Sequence, residues 1–256
     1  MNTTTDIFLE RADELLFESM RQMGIESEVS KTTLAQQFNR YMQNLLEYNA
    51  HTNLTAITEP EEVYIKHFVD SISAIVALKY LNDEKYEQKT FIDVGTGAGF
   101  PSVPVKIVLP NIRLTLLDSL EKRTRFLKQL TNDLNLQNVT ILHQRAEDAA
   151  RQKDKRESYD FVLSRAVANL PVLLEYCLPF LKKNGYMICL KGPSIDEEIQ
   201  KSKKALKILG AELIDILDIQ IPFSDFNHKI AIIKKVKNTD GKYPRKAGTP
   251  SKEPLM

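Results

Sequence analysis

The first third of the chain repeats apolar residues at the spacing of amphipathic helices. One such segment ends at Gly24, a residue suited to a helix C-terminus, and the next follows Ser30, a favoured N-cap. A third helical stretch covers residues 61–78, after Pro60. The apolar positions of the first two segments are Phe8, Ala12, Leu15, Leu16, Met20 and Met23, then Leu34, Phe38, Tyr41, Leu45 and Leu46. We therefore predict an N-terminal helical extension over residues 1–85.

From Thr90 onward, short apolar runs alternate with amphipathic segments. Helices are predicted over Glu121–Leu134 and over a stretch that begins with a capping box of Ser194 and Glu197 and ends at Gly210. The predicted strands are Thr90–Val94, Arg113–Asp118, Val139–His143, Phe161–Ser164, Tyr186–Leu190, Leu213–Ile219 and Lys229–Lys235. Strands that alternate with helices predict an α/β fold with a mostly parallel sheet.

The last two strands are joined only by the short connection Gln220–His228. Parallel strands need a longer crossover, so this pair is predicted to be antiparallel. A seven-stranded, mostly parallel sheet with a C-terminal antiparallel hairpin is the form found in Rossmann-like methyltransferases. We assign it to residues 86–237.

Charge is distributed unevenly, although the formal net charge is only +1. Residues 1–30 carry seven acidic and two basic side chains, whereas residues 234–256 carry seven basic and two acidic ones. We predict that residues 238–256 form an extended basic tail. Such a tail suits a polyanionic partner, but a solvated terminus kept soluble by lysine is an equal alternative from charge alone.

Several classes of protein are disfavoured by the sequence. Cys177 and Cys189 have no metal-ligand or redox spacing and lie among apolar residues, so we predict buried thiols and no metal site. The N-terminus lacks the pattern of a signal peptide, and no run of about 18 apolar residues is present. We therefore expect a cytoplasmic, monomeric protein.

A glycine-rich turn follows the first predicted strand, in the sequence AspValGlyThrGlyAlaGlyPhePro at residues 93–101. Gly95, Gly97 and Gly99 lack Cβ atoms, which lets a ligand lie against the backbone. A dinucleotide fingerprint needs a small residue at position 100, where this chain has Phe100. The turn therefore favours a nucleoside cofactor other than a dinucleotide.

Asp118 ends the second predicted strand, where a carboxylate can accept hydrogen bonds from the two hydroxyls of a ribose. Capping the following helix is its alternative role. Glu147 follows the third strand, where an adenine edge is expected, with helix capping again the alternative. The residues predicted to bind the cofactor are Asp93, Gly95, Thr96, Gly97, Gly99, Phe100, Asp118, Ser119, Ala146, Glu147 and Arg165.

Segments along nearly the whole chain resemble one family, the bacterial 16S ribosomal RNA guanine-N7 methyltransferases called RsmG or GidB. Besides the glycine turn, the resemblance rests on AsnLeuThrAlaIle (53–57), HisPheValAspSer (67–71), LeuAspSer with LysArg and PheLeu (117–127), SerArgAlaValAla (164–168), LysGly (191–192) and LysTyrProArgLysAlaGlyThrProSerLysGluProLeu (242–255). It implies S-adenosylmethionine as the cofactor. It also implies methylation of N7 of a guanine in 16S ribosomal RNA of the small subunit, guanine 527 in the 530 loop.

Guanine N7 carries a free lone pair, so its methylation needs no catalytic base, and catalysis is expected to rest on positioning and desolvation. Arg165 ends the fourth strand, on the edge where ligands bind, and is the predicted catalytic residue. Its guanidinium can contact guanine O6, stack on the base or bind a phosphate. A structural ion pair with a helix acid is the alternative.

Further residues are predicted to contact RNA. Cations in the first turn of the helix after Asp118 oppose the helix dipole, which an RNA phosphate would offset, although a solvated helix face is equally expected. His67 and Asp70 either line a guanine pocket, close over the methionine end of the cofactor, or tie the N-terminal helices to the sheet. The predicted RNA contacts are Asn53, His67, Lys122, Arg123, Lys191, Tyr243 and Arg245.

Two rival functions remain at this stage. A methyltransferase for a small molecule would need no basic rim around its pocket. A catalytically silent RNA-binding or assembly protein is disfavoured by the intact glycine turn and Asp118.

Overall fold

The computed structural model describes residues 3–81, 86–165, 168–225 and 227–256. Ala166 and Val167, which belong to the motif at residues 164–168, lie outside the described residues. No helix within the described residues is both long and apolar enough to cross a bilayer.

The sheet has seven strands in the order β3-β2-β1-β4-β5-β7-β6. The strands are β1 (Thr90–Val94), β2 (Arg113–Asp118), β3 (Val139–His143), β4 (Tyr159–Arg165), β5 (Leu181–Lys191), β6 (Ala211–Gln220) and β7 (Asn227–Lys235). The first five pair in parallel, and β7 pairs antiparallel with both β5 and β6. The predicted fold class and hairpin are confirmed. The bounds of β1, β2 and β3 match the prediction, while the last four strands are longer than predicted.

Helices cover both faces of the sheet. They are α1 (Thr3–Gln22), α2 (Lys31–Thr52), α3 (Pro60–Val63), α4 (Asp70–Ile72), α5 (Ala74–Tyr80), α6 (Ser102–Val108), α7 (Glu121–Asp133), α8 (Ala146–Ala149), α9 (Leu170–Cys177), α10 (Ile195–Leu209) and α11 (Thr249–Lys252), with a π-helical turn at Tyr64–Val69. The predicted third helical stretch is present over residues 60–80, but a π turn at Tyr64–Val69 and a turn at Ser73 interrupt its α-helical hydrogen bonding. π turns are rare and frequently occur at functional sites.

The helix caps follow the sequence only in part. Ser30 caps α2, since its hydroxyl accepts a hydrogen bond from the amide of Thr33 at 3.2 Å. Gly210 ends α10 in a left-handed conformation, as predicted. The predicted capping box at Ser194 is not formed, because the Ser194 hydroxyl lies 3.4 Å from a Glu198 carboxylate oxygen instead of on a backbone amide.

Alternating side chains of the central strands enter two separate cores. Phe91, Phe161 and Leu163 point to the face covered by α2 and the π turn, whereas Ile92 and Val162 point to the face covered by α9 and α10. This two-sided burial is what a parallel sheet requires. Cys177 and Cys189 are both fully buried in the second core, which confirms the expectation of packed thiols.

The N-terminal helices pack directly against the glycine turn. The Tyr41 hydroxyl of α2 donates to the carbonyl oxygen of Ala98 at 2.5 Å, and the Tyr41 ring stacks on Phe100 with centroids 5.4 Å apart. A Cβ atom on Gly99 would lie 2.6 Å from that hydroxyl and 2.8 Å from Cγ2 of Val103. Gly99 therefore serves the close approach of α2 to the turn.

The prediction of an extended C-terminal tail is wrong. Tyr243, Pro250 and Leu255 are buried in or against the second core. The guanidinium of Arg156 donates to the carbonyl oxygens of Thr239 and Tyr243 at 2.7 and 2.8 Å. The backbone of residues 239–256 is thus bonded to the domain, and its many charges do not keep it in solvent.

We predict that Gly99→Ala lowers the free energy of unfolding by roughly 1–3 kcal/mol more than Gly97→Ala, because overpacking separates α2 from the turn only at Gly99. Both glycines have positive φ, 61° at Gly97 and 102° at Gly99, but a Cβ on Gly97 meets nothing within 4 Å, so only the Gly99 variant adds an overlap with α2. Urea unfolding followed by circular dichroism provides the measurement. Equal losses in the two variants would contradict the assigned role of Gly99.

Candidate active site

The carboxyl ends of β1 to β4 open into one cavity of about 490 Å³. Ligands of open α/β sheets bind at this edge. Of the residues predicted from sequence, those that line the cavity are His67, Gly95, Thr96, Gly97, Phe100, Asp118, Ser119, Arg123, Ala146, Glu147 and Arg165. Those that do not are Asn53, Asp93, Gly99, Lys122, Lys191, Tyr243 and Arg245.

The glycine turn contributes open space to this cavity, whereas the amides of residues 95–97 are already hydrogen-bonded within the protein. Gly95 and Gly97 line it with φ of 77° and 61°, values that side-chain-bearing residues rarely adopt. The amides of Gly95 and Thr96 both donate to the carbonyl oxygen of Leu117, at 2.8 and 3.2 Å. The amide of Gly97 donates to Asp118 at 3.0 Å. These bonds fix the turn to β2, and the missing Cβ atoms leave the cavity open.

Asp118 joins the turn to the start of α7. One carboxylate oxygen accepts from the Gly97 amide and lies 3.3 Å from an Arg123 nitrogen, and the other accepts from the Leu120 amide at 2.9 Å. A carboxylate has about four acceptor positions, so capacity for a ligand hydroxyl remains. Both proposed roles, support of the helix start and exposure to the cavity, are compatible with this geometry.

Glu147 lies across the cavity from the turn and is connected to the C-terminal segment. Its carboxylate accepts from the amide of Gly248 at 3.0 Å and is largely buried. Ala146 begins α8 at the cavity wall, and Ser119 lies exposed at the end of β2. The Glu147 side chain is therefore hydrogen-bonded within the protein, and the backbone of residues 146–147 is the part that faces a ligand.

Asp93 supports the turn from beneath and does not reach the cavity. It is fully buried, and the amide of Ser102 donates to it at 3.3 Å. Burial raises the pKa of this carboxyl to about 7, against the lowering effect of hydrogen bonds from Ser102 and Thr96. The expectation that Asp93 contacts the cofactor is corrected: its position beneath the turn suits it to hold the N-terminus of α6.

A buried ion pair connects the N-terminal helices to the end of β4. The Arg165 guanidinium donates to an Asp70 carboxylate oxygen at 2.6 Å, with side-chain exposures of 12% and 1%. The other Asp70 oxygen lies 2.5 Å from Nδ1 of His228. Arg165 also lies over the Phe100 ring, 4.8 Å from its centroid. The anticipated alternative, a structural ion pair with a helix acid, is thus present in a residue that also lines the cavity.

The contacts of His67 fix its protonation state. Nδ1 faces a guanidinium nitrogen of Arg165 at 3.2 Å, and a guanidinium can only donate. Nδ1 must therefore be the acceptor, and Nε2–H donates to the Thr55 hydroxyl oxygen at 2.8 Å. Burial, with the Arg165 charge second, lowers the pKa of His67 to about 4. His67 is neutral, it stacks on Phe100, and it has no ring lone pair left for proton abstraction.

Thr55 lines the same wall, although we did not single it out from the sequence. Its hydroxyl oxygen accepts both the His67 Nε2–H and the amide of Ile57, the latter at 3.0 Å. Both lone pairs are then used, so the hydroxyl hydrogen is left to donate elsewhere. The sequence did offer a signal for Thr55, because this residue belongs to the 53–57 segment that carries the family resemblance.

Three predicted RNA contacts lie at the mouth of the cavity, where α2 ends and α7 begins. Asn53 ends α2 in a left-handed conformation and is exposed, outside the cavity lining. Lys122 donates to the carbonyl oxygen of Thr52 at 2.7 Å. Arg123 lines the cavity with a side chain 34% exposed. Lys122 and Arg123 therefore form a partly exposed cationic rim, with the neutral Asn53 beside them.

Besides His67, which lines the cavity, three predicted RNA contacts remain, and the structure corrects all three. Lys191 is 8% exposed and donates to Glu198 at 2.8 Å and to the carbonyl oxygen of Ala168. The Tyr243 ring is 9% exposed, which excludes it as a stacking platform in this conformation. Arg245 pairs with the fully buried Glu175 at 2.8 Å. The sequence around Lys191 and Arg245 gave no indication that Glu198 and Glu175 are their partners.

Ten of the lining residues were not predicted from the sequence, among them Arg145, Tyr176, Gly248 and Ser251. Tyr176 belongs to α9, and its hydroxyl lies 2.7 Å from the Ser251 hydroxyl. Gly248 and Ser251 come from the C-terminal segment, more than 80 residues after the end of β4, so no local spacing could bring them to the site.

Comparison with known proteins identifies the family. The family model GidB, described as rRNA small subunit methyltransferase G, matches residues 34–223. A "Ribosomal RNA small subunit methyltransferase G" of Alkaliphilus oremlandii is 53% identical over 232 residues, which is 91% of this chain and 95% of the relative. Its counterpart in Alkaliphilus metalliredigens is 52% identical over 220 residues, covering 86% and 90%.

Solved structures are similar at the level of the fold. TrmN of Thermus thermophilus matches with a TM-score of 0.50 at 15% identity, over 68% of this chain and 53% of its own. The sequence relatives carry the more specific result because they match along most of both chains. The chain belongs to the GidB family, rRNA small subunit methyltransferase G.

Proposed function

We propose that the chain transfers the methyl group of S-adenosylmethionine to N7 of a guanine in 16S ribosomal RNA, at guanine 527. The observation that carries this proposal is the cavity itself: a Cβ-free turn and the Asp118 carboxylate face one space in a chain of this family. We place the reaction in the cytoplasm, on RNA of the small ribosomal subunit, with the protein acting as a monomer.

The residues around the cavity fit the proposed cofactor. Gly95 and Gly97 leave room beside the backbone, Asp118 retains acceptor capacity for ribose hydroxyls, and the backbone at Ala146 is available to an adenine edge. The cofactor supplies an electrophilic methyl group on a cationic sulfur. What the chain must supply is orientation and exclusion of water.

No protein group needs to remove a proton before attack, because guanine N7 is already a nucleophile. The contacts of His67 agree with this mechanism, since both ring nitrogens are used within the protein. The wall of Thr55, His67, Phe100 and Arg165 is the surface we assign to the guanine. There the Thr55 hydroxyl and the guanidinium of Arg165 are the donors suited to guanine oxygen.

We assign RNA backbone contacts to the rim at Lys122 and Arg123, with Asn53 beside them. The nearby Arg125 is paired with Glu121 at 2.7 Å and is highly exposed. Contacts of this kind position an RNA without reading its sequence. The base itself is then selected within the cavity.

Asp118→Asn is expected to weaken S-adenosylhomocysteine binding by about tenfold to a hundredfold, since hydrogen bonds to a charged acceptor contribute about 1.5–3 kcal/mol each. Isothermal titration calorimetry measures the dissociation constant. Asp148→Asn, at an exposed position of the neighbouring α8 outside the cavity lining, is the matched control. Equal affinity of the two variants would remove Asp118 from the site.

Arg165→Lys tests the guanine wall while keeping a cation beside Asp70. Arg165→Ala is unsuitable, because an unpaired buried carboxylate costs about 3–5 kcal/mol. We expect Arg165→Lys to slow single-turnover methyl transfer by about tenfold to a hundredfold, the effect of losing roughly 1.4–2.8 kcal/mol in the transition state. The dissociation constant for S-adenosylhomocysteine should change little. Parallel loss of binding and transfer would indicate a purely structural role.

The single-turnover rate at saturating cofactor and RNA should be flat from about pH 5.5 to 8.5 for a reaction without a catalytic base. Protonation of His67 falls below this range, because its pKa is lowered to about 4. Asp93→Asn is the control, since burial raises the pKa of that carboxyl to about 7. A steep limb that persists in Asp93→Asn would contradict the base-free mechanism.

A further inference from the structure

The C-terminal segment forms one wall of the candidate active site. Gly248 and Ser251 line the same cavity as the glycine turn and Asp118. The Gly248 amide bonds to Glu147, and the Ser251 hydroxyl lies 2.7 Å from that of Tyr176. Two hydrogen-bonded contacts thus hold the segment against the side of the cavity formed by α8 and α9.

An ion pair anchors the segment just before it reaches this wall. Glu175 of α9 is fully buried, and its carboxylate accepts from the Arg245 amide at 2.7 Å and from the guanidinium at 2.8–3.2 Å. The Arg245 guanidinium also donates to the carbonyl oxygen of Glu253 at 2.7 Å. This anchor therefore closes the segment into a loop over residues 245–253.

Two of the seven cations in residues 234–256, Lys235 and Arg245, are used inside the protein. Lys235 is fully buried and donates to the carbonyl oxygen of Leu178 and to the Thr239 hydroxyl, both at 2.6 Å. Arg245 forms an ion pair with the buried Glu175. Within residues 238–256 the exposed cations are Lys242, Lys246 and Lys252, and Lys242 already lies 3.6 Å from Asp240. Lys237, just before them, is also exposed. Lys235 and Arg245 are not available to bind RNA, which weakens the charge argument for an RNA-binding tail.

We propose that residues 246–252 are a cofactor-binding element: they complete the S-adenosylmethionine pocket and set its affinity, and they do not form a binding site for RNA. This inference rests on the proposed function for the identity of the ligand. The loop supports the pocket by fixing Glu147 through Gly248 and by closing the cavity beside Tyr176.

The first test compares two variants of the full protein. Deletion of residues 246–256 leaves Glu175 and Arg245 in the chain but removes the wall, together with the buried Pro250 and Leu255. The triple variant Lys242→Ala, Lys246→Ala, Lys252→Ala keeps the wall and removes the exposed charge. We expect the deletion to weaken S-adenosylhomocysteine binding by about tenfold or more, equivalent to about 1.4 kcal/mol, in calorimetry. The triple variant should bind it like the unmodified protein.

RNA binding separates the proposal from its rival. The affinity of the deletion variant for a 16S ribosomal RNA fragment, and the salt dependence of that affinity, should match those of the unmodified chain. Unchanged S-adenosylhomocysteine affinity in the deletion variant, or a lowered RNA affinity and salt dependence in the triple variant, would overturn the proposal. If the unmodified chain itself fails to bind S-adenosylhomocysteine, the proposed function fails, and with it this inference.

Proteolysis provides a second readout that does not require a deletion. Trypsin can cleave after the exposed Lys246 and Lys252, which flank the wall. Coupling is reciprocal, so a ligand that depends on the loop must also protect the loop. Saturating S-adenosylhomocysteine is expected to slow cleavage at both lysines, and Ser251→Ala, which removes the hydroxyl that contacts Tyr176, should reduce that protection. Cleavage rates unaffected by the ligand would also refute the proposal.

Discussion

The buried ion pair between Asp70 and Arg165 is the interaction on which the candidate site depends. It joins the N-terminal helices to the end of β4, and Arg165 in turn contacts both His67 and Phe100. Burial of two charges contributes little net stability, but loss of one partner is costly. The pair therefore specifies position more than it adds stability: it holds the π turn against the sheet, so that Thr55 and His67 face the glycine turn across the cavity.

Much of the fold follows from the sequence because its determinants are local. The central strands are short apolar runs bounded by polar turns, and β1, β2 and β3 begin and end where the pattern predicts. The strands beyond them extend further than their apolar runs, because pairing with a neighbouring strand continues through polar residues such as Glu212 and Gln220. The π turn at His67 could not be predicted, since its residues keep the spacing of an ordinary helix.

The candidate site was predictable on the glycine side and less so on the opposite side. Gly95, Gly97 and Asp118 lie directly after strands, so topology alone brings them together. Lys191 and Arg245 were assigned to RNA because a cation looks exposed in a sequence until its partner is known. Their partners are Glu198 and Glu175, and the latter lies 70 residues from Arg245 along the chain. Long-range pairing of this kind leaves no periodic signal.

The cavity is assembled from positions as far apart as Leu54 and Ser251. The seven-stranded sheet and the segment at residues 248–251 therefore have to be folded together for the pocket to be closed. Local opening of that segment would remove one wall of the pocket while the hydrogen bonds between the strands stay in place. The occupancy of the pocket is in this way linked to the local stability of the C-terminal segment and not only to that of the sheet.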